Sequence, residues 1–203
     1  MSSTTPSPED GAGQVISRCY LWSNDSSWAF NRWKQNCKSQ SLHSKENNII
    51  FVDKYSEELG FVGSPTDINK SIIDKIIENK KIPVIAPLGL GEENQTYNIN
   101  ADTAAGSIAK KLKARRLIIM SDVEGVLDSN DKLIPEINSD SIKNLIENET
   151  ITGGMIPKIN NCLDVASNGV KGVVIIDGRK NHSLLFELLS DKGSGTLIRQ
   201  WKN

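Results

Sequence analysis

Two carboxamides and a carboxylate stand within five residues at Asn98, Asn100 and Asp102, in the stretch Tyr97-Asn98-Ile99-Asn100-Ala101-Asp102-Thr103-Ala104-Ala105. Carboxamides donate to anionic oxygens and a carboxylate holds a cation, so this density at a helix entrance suggests a ligand site. Asp is also a good N-cap, and strand-end asparagines satisfy turn backbone, so structural roles compete for the same residues. A second group is Thr150-Ile151-Thr152-Gly153-Gly154-Met155-Ile156-Pro157-Lys158. A Gly153-Gly154 pair opening a helix exposes backbone N–H groups at the positive end of the dipole, which suits phosphate. Pro157 fits only the first turn, so the helix starts near Gly154 and Lys158 falls in that turn. A lysine there opposes the dipole, and the pattern predicts an anionic compensator. The competing reading is an ordinary surface lysine after a glycine turn. The third group, Ser121-Asp122-Val123-Glu124-Gly125-Val126-Leu127-Asp128, directly follows an apolar run. Ligands of α/β sheets bind beyond the carboxyl ends of strands, which puts Asp122 at a crevice edge. Gly125 is expected to let the backbone approach a ligand closely. A hairpin turn with a solvated Asp122 is the alternative.

The elements that must position these groups show in the hydrophobic pattern from Ile49 onward. Strands are expected at 48–52, at 82–86 (buried, with Pro83 near its start), at 117–120, at 172–176 and at 195–198. Thr66-Asp67 precedes a helix with Ile68, Ile72, Ile73, Ile76 and Ile77 on one face. Asp102 opens a helix striped by Ala105, Ile108, Ala109 and Leu112, and further helices are expected at 139–148, from Gly154 to before Gly169, and at 182–189. Strands alternating with helices predict an α/β fold, a mainly parallel sheet sandwiched by helices. Residues 1–44 differ: they are rich in Ser, Asn, Lys and Gln, and Trp22, Trp28 and Trp33 cluster there. Composition predicts weak order in 1–44, followed by one domain over 45–203.

Composition excludes several classes. Hydrophobic content of 37 % and charged content of 24 % suit a soluble globular chain. A net charge of −1 gives no global attraction to nucleic acid or an anionic membrane. No apolar run approaches the roughly 20 residues that span a bilayer. Cys19, Cys37 and Cys162 are scattered, and His43 and His182 lie far apart, so no metal site is expected. Reduced thiols and the absence of a signal-peptide pattern point to the cytoplasm; a plastid stays open, although the serine-rich start is too acidic and too arginine-poor for a transit peptide.

Taken together, these residues resemble the amino acid kinase family, and most closely its acetylglutamate kinase branch. The segments carrying the likeness are LGFVG (59–63), IPVIAPLGLGEE (82–93), YNINADTAAG (97–106), SDVEGVLD (121–128), the run from Ile151 to Arg179, and ELLSDKGSGTLI (187–198). The resemblance implies a carbamate kinase-like fold and transfer of a phosphoryl group from ATP, carried with Mg²⁺, to the side-chain carboxylate of N-acetyl-L-glutamate, a step of arginine synthesis. It implies that Asn98 and Asn100 bind the acylated amino acid, that Asp102 organises the catalytic lysines, and that Lys158 is one of two lysines stabilising the transition state. Asp122, Val123, Glu124, Gly125, Val126 and Leu127, with Thr150 to Gly154, match nucleotide-binding segments. Glu187 and Gly195 match an arginine-effector site. A homo-oligomer, no nucleic acid and no membrane are the implied partners. Such chemistry is consistent with the residues, since in-line phosphoryl transfer needs positioning and charge neutralisation rather than a covalent nucleophile.

The first 44 residues depart from that family. Its N-terminal glycine loop, His-Gly-Gly motif and substrate-gripping arginine have no match; Gly11 and Gly13 lie in a polar tail. A reading-frame shift upstream of about residue 40 would account for this, because the Trp codon read one base later encodes glycine at Trp28 and Trp33. Against catalysis stands a non-catalytic nucleotide-binding fragment or regulatory partner of a complete kinase, and both readings stay open on sequence.

Overall fold

A computed structural model describes residues 20–21 and 38–199. The element order is β1 (Tyr20–Leu21), β2 (Ser39–Leu42), α1 (Ser44–Asn47), β3 (Ile50–Lys54), β4 (Gly63–Ile68), α2 (Lys70–Glu78), β5 (Ile82–Ile85), β6 (Leu88–Leu90) and β7 (Thr96–Asn98). It continues with α3 (Ala101–Leu112), β8 (Leu117–Ser121), β9 (Glu136–Asn138), α4 (Ser139–Glu147), α5 (Met155–Ser167), β10 (Val173–Asp177), α6 (Ser183–Leu189) and β11 (Gly195–Arg199). This is the expected α/β architecture, its strands gathered in three sheets. One sheet runs β1-β8-β10-β11-β9, a second β4-β3-β6-β7, and β2 pairs with β5. β8–β10, β9–β11, β2–β5 and β3–β6 are parallel; the remaining neighbours are antiparallel.

The apolar runs of β8 and β10 follow from burial on both faces. Leu117, Ile119, Val173 and Ile175 pack into a core with residues of α3, α4 and α5. Ile118, Val174 and Ile176 face the other way, against Leu184 and Leu188 of α6. A second core joins β3, β4 and α2 through Ile50, Val52, Ile68, Ile73 and Ile76. Helix α3 is the shared wall: Ala105 and Ala109 enter the first core, Ala104 and Ile108 the second. Ala105 and Ala109 on one side and Ala104 on the other let α3 fit between two packed layers. The parallel register of β8 and β10 sets Ser121 beside Asp177 at one rim, where the Gly178 N–H donates to the Ser121 carbonyl at 2.7 Å.

Several expectations shift. Thr66, Asp67 and Ile68 lie in β4, not at a helix start; α2 begins at Lys70 after Asn69. Ile68 is buried from the strand through its pairing with Ile50, so it mimicked the helical stripe of Ile73 and Ile76. β5 is not buried: Ile82 is 38 % and Val84 52 % exposed, because among the described residues this strand pairs only with β2. Strand β2 precedes the domain start expected at residue 45; its Ser-Gln-Ser-Leu sequence offers one buried residue, Leu42, and hence no readable alternation. Trp22, Trp28, Trp33, Gly11, Gly13 and the frame question lie outside the described residues. Among the described residues no helix is long and apolar enough to cross a membrane.

Candidate active site

Helices α3 and α5 run side by side in the same direction. At their starts Lys158 donates to Asp102 at 2.6 Å; near their ends Lys110 donates to Asp164 at 2.5 Å. Between the two pairs the helices touch closely, for a Cβ on Gly106 would come within 2.7 Å of Val165. Lys158, Asn161 and Val165 stand three and four residues apart, the spacing of one helix face, and all three meet α3. Two helix N-termini therefore converge. The dipoles of both favour an anion in front of them.

The Asp102–Lys158 pair is the compensation that the misplaced lysine required. Asp102 sits in the first turn of α3 and keeps 11 % of its side-chain exposure; Lys158 keeps 15 %. Asp102 is not the cap of its helix. Asn100 is: its Oδ1 accepts from the N–H groups of Asp102 (3.0 Å) and Thr103 (3.2 Å). Capping by Asn100 frees the Asp102 carboxylate to turn sideways to Lys158. The pair lines a cavity of about 480 Å³, together with Asn100, Gly154, Asn161 and, opposite, Tyr55, Gly63 and Ser64. That volume is within the range of small-molecule sites. Gly154 caps α5 with no side chain in the way, and Gly153 holds a left-handed φ of +55°. Asn98 does not itself line the cavity; it is exposed at the end of β7, bridged to the lining residue Val62, and its N–H donates to the Phe61 carbonyl at 2.8 Å.

With the geometry in place, comparison decides the family. The model of the amino acid kinase family matches residues 8–177. The chain belongs to the amino acid kinase family. It is 72 % identical over 164 residues to the acetylglutamate kinase of Pelagibacter ubique, a match covering 81 % of this chain and 57 % of the relative. The chain thus spans little more than half the length of the curated relatives it matches. The crystal structure of smu.665 from Streptococcus mutans superposes with a TM-score of 0.68 at 34 % identity, over 84 % of this chain and 64 % of that one. Giardia carbamate kinase shares the fold, with a TM-score of 0.62 at 18 % identity over 85 % and 66 % of the two chains.

The segments expected from the resemblance to meet nucleotide take mixed places here. Asp122 and Glu124 are exposed beyond the end of β8, and Val123 is half-buried. Glu124 pairs with Lys180 at 2.6 Å. Val126 is 2 % exposed and belongs to the core, its N–H donating to the Thr196 hydroxyl at 2.8 Å. Leu127 bridges to Leu133 in a hairpin whose turn is tied by Asp128 accepting from the N–H groups of Asn130 and Lys132. The close approach at Gly125 is to Thr196, not to open ligand space: a Cβ would sit 2.5 Å from its Oγ1, and φ is +143°. Thr150 is half-buried, Ile151 is 2 % exposed in the core, and Thr152 and Gly153 are exposed at the α5 entrance.

Two rim residues escaped the sequence reading. Asp177, almost fully buried at the end of β10, accepts from Arg179 Nε (3.0 Å), Nη2 (3.0 Å) and backbone N–H (2.9 Å). The Arg179 hydrogen bonds hold the Asp177 carboxyl below the ordinary carboxylate value. Only the strand-end rule could have pointed to it. Asn161 was missed as well, because nothing in one helix shows which neighbour it will meet. Glu187, 7 % exposed, accepts from Arg116 at 3.1 Å and from the Ser194 N–H at 2.9 Å, while Gly195 pairs with Ile176 in the β10–β11 ladder. The buried Cys162 thiol, behind the Asp102–Lys158 pair, is pushed up to about 12 by burial first and by the Asp102 charge second.

Proposed function

We propose that this chain carries phosphoryl-transfer machinery of the acetylglutamate kinase type. The reaction moves the γ-phosphoryl group of ATP to the side-chain carboxylate of N-acetyl-L-glutamate, giving an acyl phosphate and ADP. The observation that carries the reading is the Asp102–Lys158 pair at a cavity faced by two parallel helix N-termini. The identity to an acetylglutamate kinase supports the choice of acceptor. The carboxylate oxygen forms a bond to γ-phosphorus as the bond to the β-phosphate oxygen breaks. Negative charge spreads over the equatorial oxygens, and the Lys158 ammonium and the α5 N–H groups neutralise it. Asp102 orients Lys158. Asn98 and Asn100 are assigned to the acceptor, and Asp122 to Leu127 with Thr150 to Gly154 to the nucleotide. Mg²⁺ enters with ATP as part of the substrate complex; among the described residues no cluster of His, Cys, Asp and Glu would hold a resident metal.

The place of action is the cytoplasm, and the pathway that of arginine synthesis. An arginine effector would compete with Arg116 for Glu187, beside Gly195. The test is hydroxamate trapping of the acyl phosphate beside an ATP-binding titration. Hydroxamate should require both substrates, and Lys158→Met should lower kcat by about 10²–10³-fold, the size of removing one transition-state donor. ATP binding without hydroxamate would replace this reading with that of a nucleotide-binding partner.

A further inference from the structure

We propose that Asn161 is a positioning residue for the phosphoryl-transfer pair, an inference that rests on the reaction proposed above. Its Nδ2 donates to the main-chain carbonyl of Asp102 at 2.9 Å, across the seam between α5 and α3. It sits three residues after Lys158, so one face of α5 grips Asp102 twice: the ammonium takes the carboxylate and the carboxamide takes the backbone. Two grips on one residue fix its orientation as well as its distance. With the backbone held by Asn161, the freedom left to the carboxylate is rotation about the Cα–Cβ bond, and the Lys158 bond limits that.

Gly106 makes this reach possible. A Cβ there would stand 3.1 Å from Asn161 Oδ1 and 2.7 Å from Val165 Cγ2, so any side chain would lift α5 off α3 and draw the carboxamide away from the Asp102 carbonyl. The far end of the seam supplies no equivalent. Lys110 and Asp164 are 32 % and 51 % exposed, and such surface pairs hold geometry weakly. The register of the two helix starts is thus set at the cavity by Asp102, Lys158 and Asn161. Asn161 also lines the cavity, where a neutral donor anchors the backbone without adding charge beside the transferring group.

The experiment combines turnover with the accessibility of Lys158 in the full chain. Asn161→Asp keeps the shape and removes the donor; Asn161→Ala removes both. Each should lower kcat about tenfold with both KM values within about twofold of the parent, because misplacement acts on the transition state. In an Asp102→Ala background, Asn161→Ala should cause no further loss, since it acts through Asp102. Labelling of Lys158 by trinitrobenzenesulfonate, followed by peptide mass spectrometry, should quicken several-fold in both single variants. Parent-like kcat and labelling in both variants would overturn the inference, as would an equal loss of kcat in the Asp102→Ala background. If the parent makes no hydroxamate, the reaction reading fails, and the Lys158 labelling rates still decide the role of Asn161.

Discussion

Removing either half of the Asp102–Lys158 pair should not cost the same. Breaking a buried ion pair by deleting one partner costs about 3–5 kcal/mol. Here the side chains keep 11 % and 15 % exposure and face a cavity, so the lower end, about 3 kcal/mol, applies before any other field is counted. Both groups lie in the opening turns of helices, and one terminus contributes about 1 kcal/mol to a partly buried charge. Its sign differs between the variants. Lys158→Met leaves a carboxylate where the dipoles favour one, for a net loss of about 2 kcal/mol. Asp102→Asn leaves an ammonium where they oppose it, for about 4 kcal/mol. The gap of about 2 kcal/mol corresponds to roughly 4–8 °C in Tm for a chain of this size. Urea unfolding and thermal melts of both variants measure it. Inorganic phosphate should restore Tm to Asp102→Asn and not to Lys158→Met, because only the former presents an uncompensated cation to the anion. Equal losses, or a larger loss for Lys158→Met, would refute the view that the two helix starts act as an anion-favouring field.

Thr196→Val should destabilise by about 2–3 kcal/mol in urea unfolding, because it strands the Val126 N–H and the Ile134 carbonyl that the hydroxyl now serves. Arg179→Gln should narrow the stability difference from the parent only in acid. The folded Asp177 carboxyl lies below its ordinary 3.8, so the pair's contribution is complete above that value and is lost as pH falls through the lower folded one. Unfolding curves taken from neutral pH into acid should therefore draw together as pH falls. Cys162, fully buried with its thiol pushed up to about 12, should resist iodoacetamide in the native chain and react once urea unfolds it, as read on its own peptide.

Legibility followed the range of the interaction. The runs 117–120 and 172–176 were readable as strands because burial on both faces leaves no room for polar residues. The start of α5 was readable from local chemistry, Pro157 and Gly154 above all. β2, β6, β7 and β9 were not, being three or four residues long with too few side chains for a period. Ile68 misled because a strand and a helix meet there and both turn their apolar side to one core.

The sequence by itself determined that Lys158 stands in the first turn of a helix and needs an anion, since proline geometry and the dipole are properties of a few consecutive residues. Only the tertiary structure decided which anion that is. Asp102 lies 56 positions away in sequence, and it meets Lys158 because α3 is held parallel to α5 at the closeness Gly106 permits. The same distinction separates Asn100 from Asp102. Both are cap-forming types within one turn, and the neighbour across the seam decided which one capped the helix and which one turned to the cavity.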